Sequence, residues 1–324
     1  MSRYLVAGAA GFIAARVSEM LLEEGHSVVG VDNLNDAYDV RMKDYRLARL
    51  RARQDFSFLK LDIANKSEIL GLASEGPFDA VINLAARAGV RASVENPWLY
   101  VDTNVTGTLN LLELAQKTNT EKFILASTSS IYGEDAPLPT PETAESGKPL
   151  QPYAASKKGA EAMCHAYHFL HGVDVSVVRY FTVYGPAGRP DMSVFRFAKW
   201  ITEGESLQMN GDGNQSRGFT YVDDIARGTI LALKKVGFEV INLGGHEAVT
   251  MNGLVEMIEE FSGKQAKVEY HPFPKADMLA NQADVEKAGR LLGWEPAIGL
   301  RDGVAKTLEW YMAERDWASQ LNTE

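Results

Sequence analysis

A chain of 324 residues, 45% apolar and 23% charged, can bury roughly 75% of the surface its unfolded form exposes, so its core needs no staples. A formal net charge of −10 excludes general affinity for nucleic acid or an anionic membrane surface, although a local arginine patch can still hold an anion. The lone cysteine, Cys164, excludes an intrachain disulfide, fits a reducing compartment, and reads as small apolar filler on a helix.

The opening "MSRYLVAGAAGFIAAR" sets an arginine before an apolar stretch, but Arg16 cuts that stretch short and no secretion signal is expected. No run approaches the ~18 apolar residues that span a bilayer, so a soluble, cytoplasmic protein is expected. Residues 4–7 read as a strand, followed by a helix with Ile13, Val17, Met20 and Leu21 on one face. Val/Ile/Leu/Phe-rich runs follow at 27–31, 56–61, 80–84, 123–127 and 175–180, with helical segments near 66–74, 98–117 and 153–171. Strands apolar on both faces and alternating with helices predict an α/β fold, a Rossmann-type doubly wound parallel sheet over residues 1–185. After Tyr184 the rhythm breaks at the loops "GPAGRPDMS" and "GDGNQSRGF", which predicts a smaller C-terminal substrate-binding lobe over 186–324. Within it, 221–244 is a segment able to return to the first sheet.

"VAGAAGFIA" sets Gly8, Gly11 and Ala14 between the first strand and the first helix, with Phe12 and Ile13 opening that helix. Such a turn lets a pyrophosphate approach the backbone and meet a helix N-terminus. Asp32 ends the second strand 21 residues beyond Gly11, next to Asn33. A carboxylate there accepts both adenosine-ribose hydroxyls and repels a 2′-phosphate, which favours NAD over NADP; the bland alternative is an aspartate opening a turn. Asp62 and Ile63, and then Leu84, Ala85 and Ala86, end the next two strands and should face the same crevice.

"YAASK" places Tyr153 and Lys157 four apart on one helix face, behind the strand-end stretch "ASTSSIYG". A phenol near pKa ~10 is a poor base at neutral pH, and a neighbouring ammonium favours its ionised form. Together, GxxGFI, Asp32, "NLAARAGVR", "STSSIYG", "YAASK" and "RYFTVYGP" resemble the extended short-chain dehydrogenase/reductases, specifically the nucleotide-sugar epimerases. The resemblance spans the whole chain, including "GDGNQSRGFTYVDDIA" and "LLGWEP". Within that group "DNLNDAYDVRMKDYRLARL", "AGVR", "FTVYG" and "GRPDM" look most like the UDP-glucuronate 4-epimerases.

The resemblance implies a transient oxidation at C4 of a UDP-sugar by NAD⁺, rotation of the 4-keto sugar, and re-reduction on its other face. It makes Tyr153 the base at the 4-hydroxyl, Lys157 the group that holds the nicotinamide ribose, and Thr128 the hydroxyl facing the 4-oxygen. It brings Asn104 to the cofactor and Phe181 beside the nicotinamide, makes Arg217 a pyrophosphate clamp, and gives Asp277 the uridine ribose. It implies no metal, and a homodimer through helices around 98–117 and 153–171, though Met163 and Tyr167 equally suit an intramolecular core.

Thr182, where the UDP-galactose epimerases usually carry Asn, together with Arg91 and Arg189, would suit a sugar carboxylate; each also reads as an ordinary loop or strand-end residue. Related UDP-glucuronate decarboxylases carry a glutamate where Ser130 stands. The hydroxyls of Ser129 and Ser130 can hold a carboxylate without offering a carboxyl group for acid/base work at C5, so the β-keto acid intermediate is expected to survive to be reduced. Gly218 and Pro274 depart from common family patterns. The alternatives are a UDP-galactose or UDP-N-acetylhexosamine 4-epimerase, a decarboxylase, or a non-catalytic NAD-responsive binding protein.

Overall fold

The computed structural model describes residues 1–275 and 277–323. Its strands are β1 Arg3–Ala7, β2 Ser27–Asp32, β3 Phe56–Lys60, β4 Ala80–Asn83, β5 Lys122–Thr128, β6 Asp174–Tyr180, β7 Thr182–Tyr184, β8 Ser206–Asn210, β9 Ser216–Tyr221, β10 Phe238–Leu243, β11 Glu247–Thr250, β12 Lys267–His271 and β13 Ala280–Asn281. Seven of them form one parallel sheet in the order β10-β6-β5-β4-β1-β2-β3. Successive side chains leave a strand on opposite faces. Val6, Ile82, Ile124, Val178 and Ile241 therefore build one core layer, and Leu5, Val81, Phe123, Leu125 and Val175 the other. Burial on both faces accounts for the nearly unbroken apolar runs and fixes the doubly wound, Rossmann-type class.

Strand order reverses between β1 and β4, so the crevice at the carboxyl ends of these strands is where a ligand site is expected. The helix Pro152–His171 is continuous, begun by Pro152 in its first turn and stopped by Gly172 in the left-handed region at φ +70°. The helical stretch near 98–117 is not one regular helix. It divides into Pro97–Tyr100, a π-helical turn Val101–Thr106, and Gly107–Lys117.

The chain leaves the sheet after β6, lays down β7, β8 and β9, and re-enters through the helix Val222–Leu231 to add β10 beside β6. Beyond β6, a second core gathers Trp200, Leu207, Phe219, Leu254, Ile258 and Val304 around a small sheet of β11, β9 and β13, with β7 also paired to β9. Trp294 of "LLGWEP" belongs to the core of the large sheet. Its indole N–H donates to the Asp224 carbonyl at 2.8 Å, and the Asp224 carboxylate accepts the Ala297 and Ile298 N–H groups. The last helices, Leu300–Ala313 and Arg315–Ala318, cover the helix Arg41–Arg51 through Met42, Phe195, Tyr311, Ala318 and Leu321.

Candidate active site

The carboxyl ends of β1 to β6 open into a cleft of about 1340 Å³ counted to its mouth. Gly8, Gly11, Phe12, Ile13, Asp32, Asn33, Asp62, Ile63, Leu84, Ala85 and Ala86 line one end; Thr128, Tyr153, Lys157, Phe181 and Arg189 line the other.

Gly8 turns at φ +82°, and a Cβ there would sit 2.8 Å from the Ala85 backbone, so the turns after β1 and β4 touch only because the residue is glycine. The helix Phe12–Glu23 starts at Gly11 with no side-chain cap and no acid in its first turn. Its N-terminal N–H groups and dipole are thus left for an anion, and the residues present fit the diphosphate of a dinucleotide. Asp32, 8% exposed, accepts from Ala10 N at 3.3 Å and from Leu34 N at 2.7 Å, which ties the glycine turn to the end of β2. Lys43 lies 3.4 Å from the Asp32 carboxylate and donates to Asn35 Oδ1 at 3.2 Å. Asn33 donates to Asp62 at 2.9 Å, joining the ends of β2 and β3.

At the other end, the Lys157 ammonium donates to the Ala126 carbonyl at 2.8 Å. Burial lowers its pKa to about 8, opposed by the Glu161 carboxylate one helical turn on. Burial pushes the Tyr153 phenol up from its ordinary value, while its hydrogen bond with Thr128 and the charge of Arg189 pull it down. The Thr128 hydroxyl accepts from Ser130 N at 3.2 Å and lies 3.3 Å from the Ser130 hydroxyl, so β5 ends in a hydroxyl-lined 3-10 turn, Ser129–Tyr132. Beneath it, Arg179 makes two bonds of 2.9 and 2.7 Å to Glu161, which also accepts the Ser127 hydroxyl at 2.6 Å. This buried set braces the ends of β5 and β6 against the helix that carries Tyr153.

Not every residue singled out from the sequence lines this cleft. Asn104 is 1% exposed and sits behind the wall, accepting Arg87 N at 2.9 Å and donating to the Ser156 hydroxyl at 2.9 Å. Its chain neighbour Thr103 is the one that reaches the cleft. Thr182 opens β7 opposite Phe219, and Ser129 is buried in its turn. Arg91, Arg217 and Asp277 gather elsewhere. Arg91 donates to Asp277 at 2.7 Å, and the largely buried Arg217, its pKa lowered by burial, feels both charges. Tyr38, Lys43 and Met192 line the cleft without having been singled out. For Lys43 a signal existed, since it falls three residues before Arg46 on one face of a helix that follows Asp32.

The parallel sheet, the glycine turn with an acid at the end of β2, and a Thr–Tyr–Lys set over the reversal of strand order define a dinucleotide-dependent enzyme class. The chain belongs to the NAD dependent epimerase/dehydratase family, whose model matches residues 4–244. A UDP-glucuronate 4-epimerase of Thermodesulfobacterium geofontis is 55% identical over 311 residues, 96% of each chain. The UDP-glucuronic acid 4-epimerase of Bacillus cereus, solved with UDP-glucuronic acid and NAD, is 36% identical with a TM-score of 0.90 over 96% of this chain and 99% of that one. A UDP-glucose 4-epimerase of Thermotoga maritima, solved with UDP-glucose, is 34% identical with a TM-score of 0.90 over 97% and 99%.

Proposed function

We propose that this chain interconverts UDP-glucuronate and UDP-galacturonate, inverting C4 with no net redox change. The observation that carries the reading is the make-up of the reacting end. Thr128, Tyr153, Lys157 and Arg189 share it, while the acids lining the cleft among the described residues, Asp32 and Asp62, stand at the other end. When bound, NAD supplies a hydride acceptor that later returns the hydride to C4. Gly8, Gly11 and the start of the helix Phe12–Glu23 hold its diphosphate, Asp32 an adenosine ribose, and Lys157 the nicotinamide ribose.

Tyr153 takes the proton of the sugar 4-hydroxyl and gives it back. Burial holds its pKa above the ordinary value, which suits a group that ionises only when positive charge arrives, and Arg189 supplies part of that charge. Thr128 fixes the 4-oxygen against the phenol. Arg189, forked onto Asp191 at 3.0 and 2.6 Å, offers its outer edge to the C5 carboxylate. The half-buried Ser130 and Thr182 hydroxyls, with Ser129 in its buried turn, are the further donors assigned to that carboxylate from the strand ends beside the cleft. The turn that follows Thr128 carries the hydroxyls of Ser129 and Ser130 and no carboxyl group to act at C5, so the 4-keto acid is returned to the alcohol rather than eliminated or decarboxylated. Arg91, Arg217 and Asp277 form the nucleotide end, with Arg217 on the pyrophosphate and Asp277 on the uridine ribose. Asn104 acts on the cofactor pocket from behind its wall.

Val94, Trp98, Val101 and Met163, apolar and 36–77% exposed, lie on the helical segments 90–106 and on Pro152–His171. We read them as a homodimer face, and place the enzyme in the cytosol with its nucleotide-sugar pool. Incubation with UDP-glucuronate and no added reductant tests the reaction. NMR should find UDP-galacturonate without UDP-pentose or loss of CO₂, and Tyr153→Phe should abolish the product while retaining NAD. A neutral UDP-hexose turned over faster than the acid would favour the galactose-type reading instead.

A further inference from the structure

The segment "DNLNDAYDVRMKDYRLARL" holds a cation that neither the cofactor nor the sugar uses. Arg46, in the helix Arg41–Arg51, is 3% exposed and forms no ion pair among the described residues. Its Nε and Nη2 donate to the Ala187 carbonyl at 2.9 and 2.7 Å, and Nη2 also to the Gly188 carbonyl at 3.1 Å. Its Nη1 donates to the Ala10 carbonyl at 3.2 Å and to the Tyr38 hydroxyl at 2.8 Å. The whole fork is thereby spent on neutral acceptors, with the Phe12 and Tyr38 rings 5.7 and 5.5 Å away.

A buried cation balanced only by carbonyls and a phenol is expensive to keep, so its gain must be geometric. The four acceptors come from three different walls. Ala10 is in the cofactor turn, Tyr38 in the loop after β2, and Ala187 and Gly188 in the loop after β7. Ala187 sits at φ +53°, a conformation non-glycine residues rarely adopt, and its carbonyl takes two of the bonds. Two residues on, Arg189 lies 5.3 Å over the same Tyr38 ring and lines the cleft beside Tyr153.

We propose that Arg46 is a positioning residue that ties the cofactor turn to the loop after β7, so that Arg189 faces the reacting end of the cleft. The inference rests on the reading of Arg189 as the carboxylate holder. Lysine cannot replace the guanidinium, because a point donor does not span three carbonyls and a hydroxyl.

The test compares wild type, Arg46→Lys, Arg189→Ala and the double variant as NAD-loaded protein. It reads KM and kcat for UDP-glucuronate, and the inhibition constant of UDP-glucose, which lacks the carboxylate. Arg46→Lys should raise KM for the acid roughly ten- to hundredfold while kcat and the UDP-glucose constant move by less than about threefold. Once Ala stands at 189, it should add nothing further. Equal weakening of both nucleotide sugars, or penalties at 46 and 189 that multiply, would overturn the proposal. Should Arg46→Lys fail to fold, Tyr38→Phe keeps the ring but removes one acceptor. It must then raise KM for the acid alone, and an unchanged KM refutes the proposal. An Arg189→Ala protein that binds the acid normally defeats the reading of Arg189 itself, whatever Arg46 does.

Discussion

Replacing Lys157 by methionine in the NAD-free protein separates what this lysine does for the reaction from what it costs the fold. The side chain is 3% exposed, and burial takes its pKa from 10.5 to about 8. Below pH 8 the folded and unfolded chains both carry the proton, and the folded chain bears the full penalty of a desolvated ammonium, about 3 kcal/mol. Between pH 8 and 10.5 the unfolded chain holds more proton than the native one, so this contribution to stability rises with pH. Methionine has no such dependence, but it leaves the Ala126 carbonyl without its donor, a loss of about 1–3 kcal/mol. The two proteins should therefore differ by no more than about 2 kcal/mol at pH 7, with the balance moving toward wild type by about 3 kcal/mol on approach to pH 10.5. Tyr153 titrates above its ordinary value and falls outside most of that window. Urea unfolding followed by tryptophan fluorescence at pH 7, 8.5 and 10 measures the difference. Parallel stability curves for the two proteins would refute the reasoning. In turnover the same variant should lose about 10²- to 10⁴-fold.

Asp32→Ala should weaken NAD binding by roughly ten- to a hundredfold and raise the relative affinity for NADP, since it leaves the buried Lys43 ammonium facing the adenosine ribose. Dissociation constants for the two dinucleotides check this, and an unchanged ratio would count against Asp32 as the discriminating group. Trp98→Glu, on a side chain 77% exposed, should convert a dimer into monomers by light scattering. Wild type already running as a monomer would remove the proposed interface.

The parts of the fold legible in the sequence are those where one strand or helix carries its own signal. Two-sided burial wrote β1, β2, β4, β5 and β6 as apolar runs, and the positive φ of the turn at Gly8 asks for a glycine on local grounds. The π-helical turn at Val101–Thr106 was not legible, because its periodicity departs from a helix by a single residue. β10 was only half legible. "FEVINL" is an adequate strand, but its neighbour β6 lies far back in the chain, and nothing local says which sheet it joins. At the site, Tyr153, Lys157 and Asp32 stood out because acid–base chemistry restricts residue type and spacing. Arg91 and Asp277 were read separately, and their mutual ion pair depends on how the lobe meets the sheet. Arg46 escaped because three of its four acceptors are backbone carbonyls, which any sequence supplies.

The late return of β10 bears on how the protein is made. While the ribosome is still adding β8 and β9, β6 waits with one edge of its backbone unpaired, an invitation to pair with another chain. Closing that edge requires a contact across the intervening 181–237, which raises contact order and with it the time folding takes. The lobe is accordingly not a cassette. Exchanging it between relatives to change the sugar would also exchange an edge strand of the sheet that carries the cofactor.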